Sequence, residues 1–538
     1  MMIKACFTIL PIAMMINCHV CLSEPLLKEY WMGAYLNQSK VGWSSLGIYP
    51  AGSVPAALLV DLEKLGKPPG NDSLFLISEA RMGVLAYNKR KTVAWRTAAW
   101  LKPDLSLAGF SFSLESDDSK TEFKGALNGN ALEITLAAAA DARSEKIPVS
   151  AGPVFLAESL SSHLAERLSR GLAIDGEYQV FEPHQVTISP WKISLEGMET
   201  ITLEGTEKEA FRIRQQTGGF CPITWIDRQG TVLKEWAPLG EDVGYLSIFE
   251  PREKALDPEY IHPLISQAGP NDISPGEPDL MYSTSVQPGL DIRQPSLVRR
   301  MVIDLSNFTL EHPLPQGPFQ KILPGASSAS SDPNSGKNQK IRLEILRPPI
   351  PQSGIILSNT EPWRKFLVPE PLVESDHPEV KSLAHTLTRD ATDTWHRALA
   401  IHQWMCQNIL PEFRITMPSA LEVLRSGKGD CNEQSALFAA LCRAAGVPVK
   451  ICTGLVYQRG AFFYHAWNEI LLQASPELWH PIDPVLKQQS SDATHIKFGE
   501  GGVTEQTYIT ALIGKIRAQI QEIESDDPNQ PAVPKLRQ

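Results

Sequence analysis

The chain has 538 residues, 43% hydrophobic and 21% charged, with a formal net charge of −11. That length exceeds one ordinary core and calls for roughly two to four domains, and the composition is that of a globular protein. The acidic balance argues against nucleic acid and anionic membrane surfaces as main partners.

Met1-Met2-Ile3-Lys4 is a short basic opening. The apolar run from Ala5 to Ile16 is shorter than the about 20 residues of a membrane-spanning helix. Small residues at Cys21 and Ser23 predict cleavage after Ser23, so 1–23 reads as an export signal and the mature chain as periplasmic or extracellular. Lipidation at Cys18 or Cys21 and an uncleaved anchor are the alternatives. No later segment is apolar enough to span a bilayer, so no stable transmembrane anchor is expected. Of eight cysteines, Cys221, Cys406, Cys431, Cys442 and Cys452 follow the signal. An odd set in an exported chain leaves at least one thiol without an internal partner. The spacings show no CxxC framework and no zinc pattern, so no metal is expected.

Residues 24–175 read as a β-rich domain. Tyr30–Leu36 and Lys40–Trp43 bracket a turn. Phe123–Leu127 and Ala131–Leu136 flank Asn128-Gly129-Asn130, a hairpin signal. Leu156, Leu160, Leu164 and Leu168 predict a helix over 156–170, stopped at Gly171. Residues 176–310 read as a second β-rich region, with a hairpin of Cys221–Ile226 and Thr231–Lys234. Residues 311–358 read as a Pro/Gly/Ser-rich linker holding one strand, Ile341–Leu346. From 359 to 523 helices come first: one from His377, one over Thr394–Ile409 capped by Asp393 or Thr392, a short one at Ala420–Leu424, and one following Cys431. Strands follow at Val449–Tyr457, Ala461–Leu472 and Leu478–Pro481. The tail 524–538 reads as disordered.

The chemistry is concentrated in three stretches: Gly429-Asp430-Cys431, Tyr464-His465-Ala466-Trp467-Asn468-Glu469, and Trp479-His480-Pro481-Ile482-Asp483-Pro484. Cys431 stands where a helix begins, and the exposed N–H groups and dipole there favour a thiolate and could receive an oxyanion. A histidine on a neighbouring strand can serve as base and then acid. A carboxylate beyond it can orient the ring. Taken singly, each has a plainer reading: a buried inert thiol, a core histidine, an Asx-turn before Pro484. It is the ordered set that points to thiol catalysis. Glu469, on the same strand face as His465, reads as a tie to a neighbouring strand. His402, His480 and His495 show no metal-ligand spacing.

At these residues, over roughly 360–500, the chain resembles the transglutaminase-like superfamily, with its Gly-Asp-Cys helix start, His-Ala-Trp-x-Glu strand and Trp-x-x-x-Asp-Pro element. The resemblance implies an α+β fold: a C-terminal papain-like core of helix plus antiparallel sheet, preceded by β-rich N-terminal modules. It implies Cys431 as nucleophile, His465 as base and Asp483 as orienter. It also implies an aromatic or amide beside the oxyanion, for which Trp404 and Gln434 are the candidates. The plainer reading of Trp404 is a core side chain on an apolar helix face, and that of Gln434 a solvated one. The expected reaction is acyl transfer at a peptide or protein amide through a thioester, by hydrolysis or transamidation, without a cofactor. Nothing resembles the calcium sites of the animal crosslinking enzymes, so calcium dependence is not carried over. The alternative is a non-catalytic exported binding or scaffold protein that keeps the fold, or one whose β-modules carry the main function.

Overall fold

The computed structural model describes residues 28–531, apart from 38, 117–118, 137–142, 218–220, 229–230, 240–243, 258–277, 309–312, 325–338, 358–359, 414–418 and 502–511. The expected signal 1–23 and residues 532–538 of the expected tail lie outside the described residues. The chain divides between Ser283 and Thr284 into two compact units.

The N-terminal unit is built on one 15-stranded sheet. From Lys28–Leu36 to Arg143–Pro148 each strand pairs antiparallel with the next. A second series runs back from Gly244–Glu250 to Val154–Leu156. The series join where Trp31 lies opposite Glu250. The two stretches read as separate β-rich regions therefore share a sheet, through a long-range pairing that no local pattern announces. The local signals do reappear. The hairpin turns at Gly129-Asn130, with Gly129 at φ +62°, the left-handed region that glycine enters at little cost. The helix runs Ala157–Ser169 with Leu160 and Leu164 buried, and Gly171 (φ +69°) ends it.

In the C-terminal unit the elements that matter are β1 (Val298–Phe308), β2 (Gln320–Ile322), β3 (Gln339–Leu346), α1 (Pro378–Thr388), α2 (Thr394–Asn408), α3 (Ala420–Ser426), α4 (Cys431–Ala444), β4 (Val449–Gln458), β5 (Ala461–Ala474), β6 (Glu477–Ile482), β7 (Ile496–Gly501) and β8 (Arg517–Ser525). One four-stranded sheet has the order β2-β3-β1-β8, and a second four-stranded sheet the order β6-β5-β4-β7. Two expectations change here. The linker holds strand β2 as well as β3, and β1, counted with the second β-rich region, belongs to this unit. The tail is not disordered from 524: β8 pairs with β1 through Ser525, and Asp526 meets Arg299 at 2.9 Å and Arg347 at 3.0 Å. The acidic run looked unstructured because its arginine partners lie far away in sequence.

Helix α4 is the axis of the second layer. Every residue from Ala436 to Cys442 is fully buried, as expected of a helix apolar all round. It packs in one cluster with Val380 and Ala384 of α1, Ala398 and Ile401 of α2, Ile451 of β4 and Ile470 of β5. Asn468 on β5 donates from Nδ2 to the Ser435 carbonyl of α4 at 3.1 Å. That bond fixes the height of the helix start against the strand bearing His465.

Candidate active site

The start of α4 is set by its own sequence. Gly427, at φ +67°, ends α3 in the left-handed conformation. Asp430 is the N-cap: its Oδ1 accepts the N–H groups of Asn432 at 2.9 Å and Glu433 at 3.1 Å. Glu433 returns the bond, its Oε2 accepting the Asp430 N–H at 2.9 Å, which completes a capping box. Cys431 is thus the first residue of the helix and stays half-buried. Two of the N–H groups expected to face an oxyanion are occupied by Asp430. Gln434, expected near the site, is buried and donates from Nε2 to the Gly429 carbonyl at 2.8 Å, bracing the loop that carries Cys431. Trp404 packs, partly buried, against the hydrophobic cluster around α4.

His465 on β5 is buried, and its ring is electrostatically coupled to the Cys431 thiol. Its Nε2 lies 2.7 Å from Asp483 Oδ2. Trp467, two residues along the same strand face, lies parallel to the imidazole at 6.2 Å between centroids. Asp483 follows β6 and is wholly buried. Its Oδ1 accepts the N–H groups of Val485 at 2.8 Å and Leu486 at 2.9 Å. The Asx-turn and the histidine contact, which looked like competing readings of this residue, use different oxygens of one carboxylate. The carbonyl of Asp483 faces His402 Nε2 of α2 at 3.2 Å.

Sequence reasoning missed His495 and Asp492. His495 Nε2 lies 3.1 Å from the same Asp483 Oδ2. Its Nδ1 faces Asp492, at 3.1 Å from the carbonyl and 3.3 Å from Oδ1. No linear spacing marks these residues; what brings them in is the loop between β6 and β7. His465, Asp483 and His495 offer ligand atoms within 4.8 Å of one another, a set chemically able to hold a cation. The two contacts to Asp483, at 2.7 and 3.1 Å, are those of shared protons. Glu469 receives Lys497 Nζ of β7 at 2.7 Å, tying the strands together. Trp467, Asp492 and His495 also line a cavity of about 270 Å³, bordered by residues 316–320 of the expected linker.

Charge follows this geometry. Burial by itself would depress the His465 ring, but the Asp483 carboxylate and the Cys431 sulfur outweigh it and lift the ring to about 10. Burial would raise Asp483, yet His465 and His495 hold it well below the usual carboxylate range. Burial opposes a Cys431 thiolate, while the His465 imidazole favours one. Cys442, eleven residues on in the same helix, and Cys452 are fully buried thiols, and burial pushes both well up. The two are not joined in a disulfide. The arrangement can hold an ion pair between sulfur and imidazole with a carboxylate behind it.

Residues 381–484 match the model of the transglutaminase-like superfamily, a stretch that contains Cys431, His465 and Asp483 and stops short of Asp492 and His495. The kyphoscoliosis peptidases of Mus musculus and Homo sapiens are 28% and 29% identical to this chain over 133 and 132 residues. Each match covers 22% of this chain, and 20% and 19% of the respective relative, so the chain spans about a fifth of their length. A solved structure from Cytophaga hutchinsonii, provisionally described as a cysteine protease, is 17% identical, with a TM-score of 0.30, covering 44% of this chain and 93% of that one. The C-terminal part of the protein, residues 381–484, carries a transglutaminase-like core behind an N-terminal β-rich sheet.

Proposed function

We propose that the protein is a cysteine-dependent acyl-transfer enzyme acting at peptide or protein amides. The observation that supports this most directly is His465, hydrogen-bonded to the Asp483 carboxylate and coupled in charge to the Cys431 thiol at the start of α4. In this reading the Cys431 thiolate attacks the amide carbonyl. The negative charge on the carbonyl oxygen is received at the helix start, where the Cys431 N–H is the candidate donor. The C–N bond breaks, the His465 imidazolium gives its proton to the departing nitrogen, and a thioester remains on Cys431. His465, now neutral, takes a proton from the next nucleophile. Water yields hydrolysis, and an amine yields transamidation. Asp483 holds the ring orientation throughout and stabilises the imidazolium. The basic and apolar character of residues 1–23 supports export, and hence extracytoplasmic substrates. Among the described residues, no helix is long and apolar enough to cross a membrane.

The test compares thiols of similar exposure. Cys221, Cys406 and Cys431 are all half-buried. Iodoacetamide at pH 6, read by mass spectrometry, is expected to label Cys431 at least tenfold faster than the other two, since a thiolate is the reacting species. Peptide-library turnover is expected to vanish in Cys431→Ala. Equal labelling of the three thiols, or unchanged turnover in the variant, would overturn the reading.

A further inference from the structure

The loop between β6 and β7 delivers a second imidazole to the carboxylate behind His465. The hydrogen-bond chemistry of that ring fixes its charge. His495 Nε2 faces Asp483 Oδ2, and Nδ1 faces the Asp492 carbonyl and Oδ1. A carbonyl and an ionised carboxylate only accept, so both ring nitrogens must donate, and a ring that donates twice is an imidazolium. Asp492 is kept as an acceptor by its other bonds. Its Oδ1 receives the N–H and Oγ1–H of Thr494 at 2.8 and 2.6 Å, and its Oδ2 receives Gln488 Nε2 at 2.6 Å. The Gln488 side-chain oxygen in turn accepts the Asp492 N–H at 2.8 Å. The whole arrangement is buried: Asp483 is 0%, Asp492 2% and His495 5% exposed.

The other groups around His495 do not disturb this assignment. From β5 it meets the Trp467 ring edge-on at 5.2 Å and the His465 ring at 6.1 Å. The charged residues sharing its cavity are joined in pairs: Lys450 with Glu500 and Lys497 with Glu469 across strands, and Lys497 with Glu500 within β7. Glu477 borders the cavity from β6. From α2, His402 addresses the backbone of Asp483 rather than its carboxylate.

One carboxylate oxygen therefore serves two imidazoles, and the series His465, Asp483, His495, Asp492 alternates in sign. We propose that His495, held as an imidazolium between Asp483 and Asp492, is a positioning residue for the acyl-transfer reaction: it clamps Asp483 Oδ2 toward His465 and limits how strongly that carboxylate retains the His465 proton. The proposal rests on the nucleophile reading above. Its chemical logic is that a His465 proton held too firmly would be given up too slowly to the leaving nitrogen. A second cation on Asp483 withdraws part of that hold. The electrostatics agree in direction, with Asp492 and Asp483 outweighing burial to lift the His495 ring to about 9.

Two readouts on the full chain test this. In protein labelled with ¹⁵N-histidine, both His495 nitrogens are expected to be protonated at pH 7, whereas a neutral tautomer there would overturn the proposal. The second readout is the pH profile of Cys431 alkylation in wild type, His495→Gln and Asp492→Asn. Removing the cation is expected to move both limbs of the profile upward by about one pH unit in His495→Gln. Asp492→Asn, which keeps an acceptor for Nδ1 and so keeps the ring charged while removing the anion behind it, should shift the limbs downward and by less. Limbs unmoved in both variants, with melting temperatures near wild type, would reduce His495 to a structural role and overturn the proposal. If His495→Gln fails to fold, Asp492→Asn and the ¹⁵N spectrum still decide. A doubly protonated His495 beside a Cys431 that alkylates no faster than Cys406 would instead overturn the nucleophile reading, so the two failures are distinguishable.

Discussion

Both units of this protein bury carboxyl groups, and they treat them in opposite ways. In the N-terminal unit Glu158 of the helix and Glu182 and Glu235 of the sheet are almost wholly enclosed. Burial lifts Glu158 and Glu182 to about 7 and Glu235 well above its ordinary value. In the C-terminal unit Asp483 and Asp492 are as deeply enclosed, yet both are held below the usual range by imidazoles. Burial alone drives an acid to neutrality. A buried carboxylate stays charged when cations are built around it, and that charge can bias a neighbouring ring. The contrast separates carboxyls that serve the sheet from carboxyls that can serve chemistry.

The contrast breaks most visibly at Asp483. Asp483→Asn removes the counter-charge of two imidazoles at once. Turnover is expected to fall by about 10³- to 10⁴-fold, as for other triads that lose their carboxylate. Leaving buried cations uncompensated should cost about 3–5 kcal/mol in denaturant unfolding of this unit. A variant that unfolds like wild type would mean that the histidines are not charged.

The pH dependence of stability should then differ between the units. Asp483 is depressed in the fold, so its contribution is complete above about pH 4 and fades as pH falls further. His465 and His495 are raised to about 10 and about 9, so theirs is complete below about pH 6.5 and is lost as pH rises through 9 and 10. Glu158 and Glu182 are raised acids. Their contribution is complete below about pH 4.3 and is lost by pH 7, leaving a constant penalty above. Thermal melts with proteolytic readout of each unit should therefore show the N-terminal unit gaining stability from pH 7 to 5, and the C-terminal unit losing it from pH 7 to 10. Parallel curves for the two units would contradict the assignment.

The smallest effect is expected at Glu235→Gln. A protonated Glu235 accepts from Thr224 Oγ1 at 3.2 Å, and an amide oxygen can do the same. The change should stay within about 1 kcal/mol by urea titration. A larger loss would mean that Glu235 is charged in the fold.

What the sequence made legible follows the range of the interactions. The helix start at Cys431 was readable because its capping residues lie within three positions of it. The hairpin at Gly129 was readable from its turn residues, and the strand of His465 from its own side chains. The three motifs bearing Cys431, His465 and Asp483 were readable because each is itself local. The joining of the two β-rich regions depends on Trp31 meeting Glu250, and the ordering of the tail on Asp526 meeting Arg299 and Arg347. His495 was passed over for a similar reason. Asp492 stands three positions before it in a stretch with no helical pattern, Asp483 lies 12 positions away, and only the closed turn that returns Gln488 to Asp483 brings the set together.

The central claim is that His465 makes Cys431 a nucleophile. It is tested most directly by the rate of Cys431 alkylation between pH 4 and 9 in wild type and His465→Ala. The account predicts a wild-type plateau reaching below pH 7, and in the variant a rate that climbs only toward the ordinary thiol range near about 8.5. Superimposable profiles would contradict it.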